Sequence, residues 1–201
     1  MKSTVSSRKQ SDHRLAVFTR SPDSSAVKSR LGAEIGAEQA RRCYLELLTI
    51  ALQSAMSFTT TVYVDGPNLD RRWLLGLPAK PQTEGDLGQR MLACFEDGVH
   101  VLVGGDSPLM SATYIEKAFD ALVEHDLVLG PTEDGGYVLI GMREPIPQLF
   151  RDIPWSSENV LRVTIDVANA LDLRVKCLDQ VWDVDTKADY VRWLDLRKDS
   201  S

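Results

Sequence analysis

The sequence predicts an α/β fold built on a mixed, mostly parallel sheet. Residues 99–103 are apolar at nearly every position, as expected for a central strand that is covered on both faces. Segments of strand length alternate along the chain with segments of helical periodicity. The connection over residues 131–135 has only five residues, whereas a parallel crossover needs about a dozen. The strand after that connection is therefore expected to run antiparallel to its predecessor.

The predicted elements follow this alternation from one end of the chain to the other. Strands are predicted over residues 14–20, 60–64, 99–103, 126–129, 137–141 and 174–178. Helical spacing of apolar side chains covers residues 38–56, 111–123 and 160–171. Two further helices are predicted after residue 88 and after residue 186. Helix starts are predicted at Thr83 or Asp86, at Ser111, at Ser156 or Ser157, and at Thr186. The predicted organisation is a disordered tail over residues 1–13 and a single domain over residues 14–198.

Composition limits the function classes. The 201 residues are 43% hydrophobic and 26% charged, which is typical of a globular protein with its own core. No apolar run approaches the ~20 residues of a membrane-spanning helix, and no secretory signal is evident. The three cysteines are scattered without metal-ligand spacing, so a reducing, cytoplasmic location is expected. The net charge of -6 argues against a broad nucleic-acid-binding face.

Acidic residues follow the predicted strands and turns. Asp106 ends the central strand, and Glu133 and Asp134 lie in the five-residue connection. Two further acids, Asp183 and Asp185, directly precede the predicted start of the last helix. Carboxylates at the carboxyl edge of a sheet lie where open α/β sheets bind ligands. Mg²⁺ and Mn²⁺ prefer such oxygens and accept substrate phosphates as further ligands. Turn formation and helix capping are the alternative role for each acid.

A basic loop follows the first predicted strand. Arg20, Lys28 and Arg30 lie in or beside a polar segment, and Arg and Lys are the side chains that bind phosphate. No P-loop or dinucleotide-binding glycine pattern accompanies them. A solvated loop is therefore the alternative to a phosphate site.

Several motifs resemble one bacterial family of nucleotide-diphospho-sugar transferase type, which includes arsenosugar-biosynthesis and selenodomain-associated glycosyltransferases. The most specific are Gly-Pro-x-x-Asp-Gly-Gly-Tyr from Gly130 and Gly-Asp-Leu-Gly-x-Arg-Met from Gly85. The other matching segments are Phe18 to Pro22, Val27 to Leu31, Gln82 to Met91, Gly104 to Pro108, Pro154 to Ser157 and Asp183 to Thr186. The family is also similar in fold to guanylyltransferases that act on phospholactate and on the molybdenum cofactor.

The resemblance implies a three-layer α/β/α fold of the GT-A class, a nucleotide over the loop after the first strand, and Mg²⁺ or Mn²⁺ near Asp106. The expected catalytic residues are Asp106 and Asp134, and the expected metal ligands are Asp106 and Asp185, with Asp134 as an alternative second ligand. The residues expected to bind the nucleotide are Arg20, Lys28, Arg30, Gly85, Gly105 and Ser107.

Two departures from the family pattern bear on these expectations. Residues 24–26 are Ser-Ser-Ala where family members carry a glycine and a basic residue, so the loop could hold phosphate differently. A single Asp106 also stands where many metal-dependent GT-A enzymes have Asp-x-Asp.

Three function hypotheses follow from these observations. The first is a metal-dependent transferase using a nucleotide-activated donor, foremost a nucleotide sugar, and the second is a nucleotidyltransferase that releases pyrophosphate. The third is a non-catalytic module that binds a nucleotide or a partner enzyme. The expected partners are a nucleotide or nucleotide-sugar donor and a small-molecule acceptor, with a homodimer left open. Neither nucleic acid nor a membrane span is expected.

Overall fold

The computed structural model describes residues 13–24, 27–66 and 71–199. Except for His13, the predicted disordered tail over residues 1–13 lies outside the described residues, as do Ser25 and Ala26 of the departure noted above. The single domain over residues 14–198 stays a prediction.

The strands that the structure describes form one seven-stranded sheet. They are β1 (Arg14–Arg20), β2 (Thr59–Asp65), β3 (Ala79–Pro81), β4 (Val101–Val103), β5 (Leu127–Pro131), β6 (Tyr137–Met142) and β7 (Val175–Cys177). Their order is β3-β2-β1-β4-β6-β5-β7. All neighbours are parallel except that β6 runs antiparallel to both β4 and β5. The predicted mixed, mostly parallel sheet and the reversal before β6 are confirmed.

Helices cover both faces of the sheet. They are α1 (Ser29–Ile35), α2 (Ala37–Ala55), α3 (Leu87–Glu96), α4 (Ala112–Ala121), α5 (Val160–Ala170) and α6 (Lys187–Asp199). Two short 3₁₀ turns lie at Arg72–Leu74 and Pro147–Phe150. Among these elements, no helix has the length and apolar character needed to cross a membrane.

The sheet separates two apolar clusters, because successive side chains of a strand point to opposite faces. On one face, α2 and α4 pack on Leu15 and Val17 of β1 and on Val101 of β4. On the other face, α3, α5 and the second 3₁₀ turn pack on Ala16 and Leu102. A third cluster beyond α2 joins α1, α2 and α6. The resulting three layers place the carboxyl ends of β1, β2 and β4 side by side.

Three local predictions were incomplete or wrong. The structure adds β3 at Ala79–Pro81, which is not among the predicted strands, because pairing to β2 rather than local pattern defines this strand. The predicted cap at Ser156 or Ser157 is wrong, since α5 begins at Val160 after Asn159 and without a side-chain cap. Thr83 and Asp86 were the two predicted caps for α3, and Asp86 forms the cap, in a capping box with Gln89.

The turn between β5 and β6 packs tightly on the segment before α5. Gly135 has φ of +86°, and a Cβ added there would lie 2.1 Å from the backbone oxygen of Glu158. The nitrogen of Leu161 also donates to the oxygen of Gly135 at 2.9 Å. The turn therefore requires glycine both for its backbone conformation and for this close approach.

We expect Gly135→Ala to destabilise the protein more than Gly76→Ala does. Gly76 has φ of +84° but nothing within 4 Å of an added Cβ, so its substitution tests the conformation alone. That conformation costs about 1–2 kcal/mol for a non-glycine residue. The contact with Glu158 should add about 1–3 kcal/mol at Gly135, which is the usual cost of overpacking. Urea unfolding of both variants measures the difference, and equal losses of stability would contradict the packing role.

Candidate functional site

A cavity of about 410 Å³ lies at the carboxyl ends of β1, β2 and β4. This edge is where open α/β sheets bind ligands, as the sequence analysis expected. The strand ends and the loops beside them contribute Phe18, Thr19, Arg20, Asp65, Gln82, Gly105, Asp106, Ser156 and Asp185. The loop before α1 and the helices contribute Val27, Lys28, Ser29, Arg30, Tyr44, Leu87 and Arg90.

Asp106 reaches the cavity because the chain after β4 passes close to α2. A Cβ added to Gly105 would lie 2.9 Å from Cδ1 of Leu48, so glycine allows this approach without a movement of the Leu48 side chain. The nitrogen of Gly104 continues the pairing with β6 by donating to the oxygen of Val138 at 2.8 Å. The carboxylate of Asp106 then projects at the end of the central strand.

The segment before α6 brings Asp185 to the same place. The nitrogen of Val181 donates to the oxygen of Pro131 at 2.9 Å, and the nitrogen of Val184 donates to the oxygen of Asp106 at 3.2 Å. Thr186 starts α6 by exchanging hydrogen bonds with Asp189, which confirms the predicted cap. Backbone pairing therefore holds Asp185 beside Asp106.

Lys28 lies between these two acids. Its Nζ donates to Oδ1 of Asp185 at 2.7 Å and lies 2.9 Å from Oδ1 of Asp106, while its side chain is only 6% exposed. The Asp106 contact is a charge contact, since Oδ1 makes no well-oriented hydrogen bond within the described chain. Burial disfavours the charged ammonium, but the carboxylates of Asp106 and Asp185 outweigh it and raise the pKa of Lys28 above its ordinary value.

The opposite end of the cavity holds a second polar network. Oδ2 of Asp65 lies 3.1 Å from NH1 of Arg90 and 3.5 Å from Nε of Arg20, so both arginines form ion pairs with it. Gln82 accepts from Arg90 at 3.0 Å and donates to the backbone oxygens of Thr19 and Tyr63. The cavity thus has two ends that both combine basic and acidic groups.

Sequence reasoning did not assign Asp65, Gln82, Arg90, Tyr44 or Ser156 to the site. Gln82 and Arg90 lie in a segment that carries the family resemblance, which was the available signal for them. The hydroxyl of Tyr44 contacts Oγ1 of Thr19 at 2.6 Å and donates to the oxygen of Arg20 at 2.8 Å, although helical spacing had placed Tyr44 in the core. Ser156 has φ of +64°, a conformation that cannot be predicted for a serine from the sequence.

Six of the predicted site residues line the cavity, namely Arg20, Lys28, Arg30, Gly105, Asp106 and Asp185. The structure does not bring Gly85, Ser107 and Asp134 to its wall, and each has a local role. Gly85 has φ of +121° and precedes the capping box of α3. Ser107 is 0% exposed, and its Oγ accepts from the nitrogen of Leu109. Asp134 accepts from Thr132 Oγ1 at 2.5 Å and from the Gly136 nitrogen at 3.1 Å, which stabilises the β5–β6 turn.

The donor set fits a divalent metal that arrives with a polyanionic ligand. Within residues 13–24, 27–66 and 71–199, no group of three or more His, Cys, Asp or Glu side chains is placed to hold a metal. Asp106 and Asp185 nevertheless converge on one cation, the ammonium of Lys28. Mg²⁺ commonly takes one or two carboxylates and completes its shell with waters and substrate phosphates. The two carboxylates therefore suffice only with such further ligands.

Comparison with known proteins identifies the family. Residues 49–157 match the family model described as "Uncharacterized protein conserved in bacteria (DUF2064)". A solved structure from Desulfovibrio desulfuricans G20, which carries the provisional name of nucleotide-diphospho-sugar transferase, is 30% identical and has a TM-score of 0.85. That match covers 95% of this chain and 90% of the other. The chain belongs to the DUF2064 family. The expected relationship to nucleotide-diphospho-sugar transferases is confirmed.

More distant structures share the fold of this DUF2064 protein. The 4-diphosphocytidyl-2C-methyl-D-erythritol synthase of Anaerococcus prevotii DSM 20548 has 10% identity and a TM-score of 0.59, with 93% of this chain and 99% of that chain covered. Rv0371c of Mycobacterium tuberculosis H37Rv, solved in complex with manganese, has 16% identity and a TM-score of 0.50, with 91% and 98% covered. No curated protein matches the sequence. The predicted GT-A-type fold is confirmed by these likenesses.

The carboxyl group of Asp183 should make the stability of the folded protein depend on pH. Burial, together with the nearby carboxylates of Asp185 and Asp134, raises the pKa of Asp183 from 3.8 to about 7. Between these values the folded protein binds more protons than the unfolded chain, so this group lowers stability as the pH rises through that range. The penalty is complete above the folded pKa and is on the order of 4 kcal/mol.

Asp183→Asn should therefore gain stability relative to the wild type as the pH rises. We expect its advantage in urea unfolding, measured with a chelator present, to grow by about 3 kcal/mol between pH 4 and pH 8. Asp120→Asn, at an exposed position of α4, is the matched control and should show no such trend. An Asp183→Asn advantage that is constant with pH would contradict the raised pKa.

Proposed function

We propose that this protein is a metal-dependent transferase that uses a nucleotide-activated donor, foremost a nucleotide sugar. The observation that carries the proposal is the cavity at the sheet edge, which is lined both by Arg20, Lys28 and Arg30 and by Asp106 and Asp185. Basic groups for a diphosphate and carboxylates for a divalent cation are the two requirements of such a donor site. The similar structure from Desulfovibrio supports the same class, since its provisional name is nucleotide-diphospho-sugar transferase.

The cations would hold the donor's phosphates at the start of α1. Lys28 and Arg30 flank Ser29, the first residue of α1, and both line the cavity. Arg30 offers a planar fork that can bind two phosphate oxygens at once, whereas Lys28 offers a point charge. Arg20 approaches from the end of β1 and is oriented by Asp65. The diphosphate would therefore fix the donor in the cavity before the sugar or other transferred group is recognised.

Asp106 and Asp185 would hold Mg²⁺ or Mn²⁺ beside those phosphates. When bound there, the cation would neutralise the negative charge that develops on the diphosphate leaving group. The manganese complex of Rv0371c supports this choice of metal at the level of the shared fold. The protein's own part is to position the two carboxylates, through Gly105 and the hydrogen bond from Val184 to Asp106.

The acceptor would enter past Ser156. This exposed residue lines the cavity, and its segment rests on the β5–β6 turn through Gly135. The turn, including Asp134, would thus shape the acceptor side indirectly by supporting residues 156–161. A direct role of Asp134 as a catalytic base stays a prediction, and its hydrogen bonds to Thr132 and Gly136 make the structural role sufficient for its presence.

The alternative is nucleotidyl transfer with release of pyrophosphate. The likeness to the cytidyl-named synthase from Anaerococcus favours this alternative at the level of fold. The products separate the two reactions, because glycosyl transfer releases a nucleoside diphosphate and nucleotidyl transfer releases pyrophosphate. A thermal-shift screen of nucleotides and nucleotide sugars, with and without Mn²⁺, should first identify the donor. No response across the screen would favour the non-catalytic module.

Asp106→Asn should abolish metal-dependent binding of the donor found in that screen. The amide keeps the shape of the side chain but removes the charge that would bind the cation. Calorimetry with Mn²⁺ present should show at least a tenfold loss of affinity, equivalent to about 1.4 kcal/mol. Asp179→Asn is the control, since Asp179 is an exposed acid paired with Lys117 outside the cavity. Unchanged affinity of Asp106→Asn in the presence of metal would remove Asp106 from the site.

Arg30→Met should weaken binding of the same donor even without metal. Loss of a hydrogen bond to a charged group costs about 1.5–3 kcal/mol, so the Kd should rise about 10–150-fold. Arg42→Met serves as control because Arg42 is exposed and paired with Glu38 on α2, outside this cavity. The two variants are compared by calorimetry at one salt concentration. Equal, small effects would mean that Arg30 is only a solvated cation.

A further inference from the structure

The ammonium of Lys28 occupies the position between the two proposed metal ligands. It lies 2.9 Å from Oδ1 of Asp106 and 2.7 Å from Oδ1 of Asp185, and the side chain is 6% exposed. A buried cation with two carboxylate contacts is well compensated, because each contact offsets part of the cost of removing the ammonium from water. The site therefore already contains its own cation when no ligand is bound.

This ammonium and a divalent metal cannot share the same two oxygens. Mg²⁺ binds carboxylate oxygens at about 2.0–2.1 Å, so a metal held by Oδ1 of Asp106 and Oδ1 of Asp185 would lie in the space that Nζ now occupies. Two adjacent cations would also repel each other strongly in a partly buried site. Binding of a metal through these two Oδ1 atoms thus requires Lys28 to move.

Among the described residues that line the cavity, none offers Lys28 a new anionic partner, so a partner would have to come from a bound anion. The cations Arg30, two residues after Lys28, and Arg20, at the other end of the cavity, also line it and would repel a displaced ammonium. Asp65, the remaining acid of the lining, lies at the other end and is paired with Arg90. A bound diphosphate would supply oxygens that Lys28 could reach through rotation of its flexible four-carbon stem.

We propose that Lys28 keeps the metal site closed until a nucleotide diphosphate draws its ammonium away from Asp106 and Asp185. The divalent cation and the donor then bind with positive coupling, and each raises the affinity for the other by the same factor. The identity of the anion rests on the proposed function, whereas the competition between Lys28 and a metal does not. The free protein is accordingly a poor metal binder, although it contains both carboxylates.

Mn²⁺ titration followed by electron paramagnetic resonance tests this competition without any nucleotide. Lys28→Met and Lys28→Gln remove the ammonium and should bind Mn²⁺ at least about tenfold more tightly than the wild type, within the usual range of coupling between sites. Adding Asp185→Asn to Lys28→Met should abolish the gain. Lys117→Met is the matched control. It removes the partner of one exposed carboxylate, that of Asp179, and one such carboxylate should not create a Mn²⁺ site.

The wild type provides a second test that does not depend on how the Lys28 variants fold. Without nucleotide, it should bind Mn²⁺ no more tightly than the double variant Asp106→Asn/Asp185→Asn. Tighter binding by the wild type would overturn the proposal, as would folded Lys28 variants whose Mn²⁺ affinity equals that of the wild type. Circular dichroism establishes folding in each case. If no nucleotide binds under any condition, the proposed function fails, while the Mn²⁺ comparison still decides the role of Lys28.

Discussion

The contact of one buried ammonium with two carboxylates determines the arrangement of the site. A buried charge without partners would be strongly destabilising, so Lys28, Asp106 and Asp185 constrain one another's positions. Each comes from a different part of the chain: the start of α1, the end of β4 and the segment before α6. Lys28 itself has a left-handed backbone conformation, with φ of 48°, directly before α1.

The rest of the sheet edge can be understood from that contact. Gly105 lets the chain approach α2, and the hydrogen bond from Val184 to Asp106 fixes the returning segment. The second network, at the other end of the cavity, joins Arg90 to Asp65 and Gln82, but the buried Nε of Arg90 has no hydrogen-bond partner among the described residues. A ligand that spans both ends would therefore exchange carboxylates for phosphates as partners of Lys28 and could offer Arg90 the acceptor that it lacks.

Sequence reasoning succeeded where the signal was local or followed from chain length. The apolar run of β4 identified the central strand, and the short connection before β6 identified the antiparallel pair. It failed where pairing or packing decides the structure. The three residues of β3 become a strand only beside β2, and Ser156 and Ser157 resemble a cap although α5 begins later. Gly85, Ser107 and Asp134 have local roles in turns and beside a helix cap, and their predicted roles in the site stay predictions.

The sequence by itself determined the class of fold, the strand reversal and the types of group at the sheet edge. These follow from side-chain periodicity, connection length and residue chemistry, all of which act over short stretches of chain. Only the tertiary structure decided which of those groups meet. The sequence assigned Lys28 to phosphate and the two acids to metal, whereas the fold brings all three into contact. The physical reason is that a buried charge takes the opposite charges that the folded chain places beside it, whatever their separation in sequence.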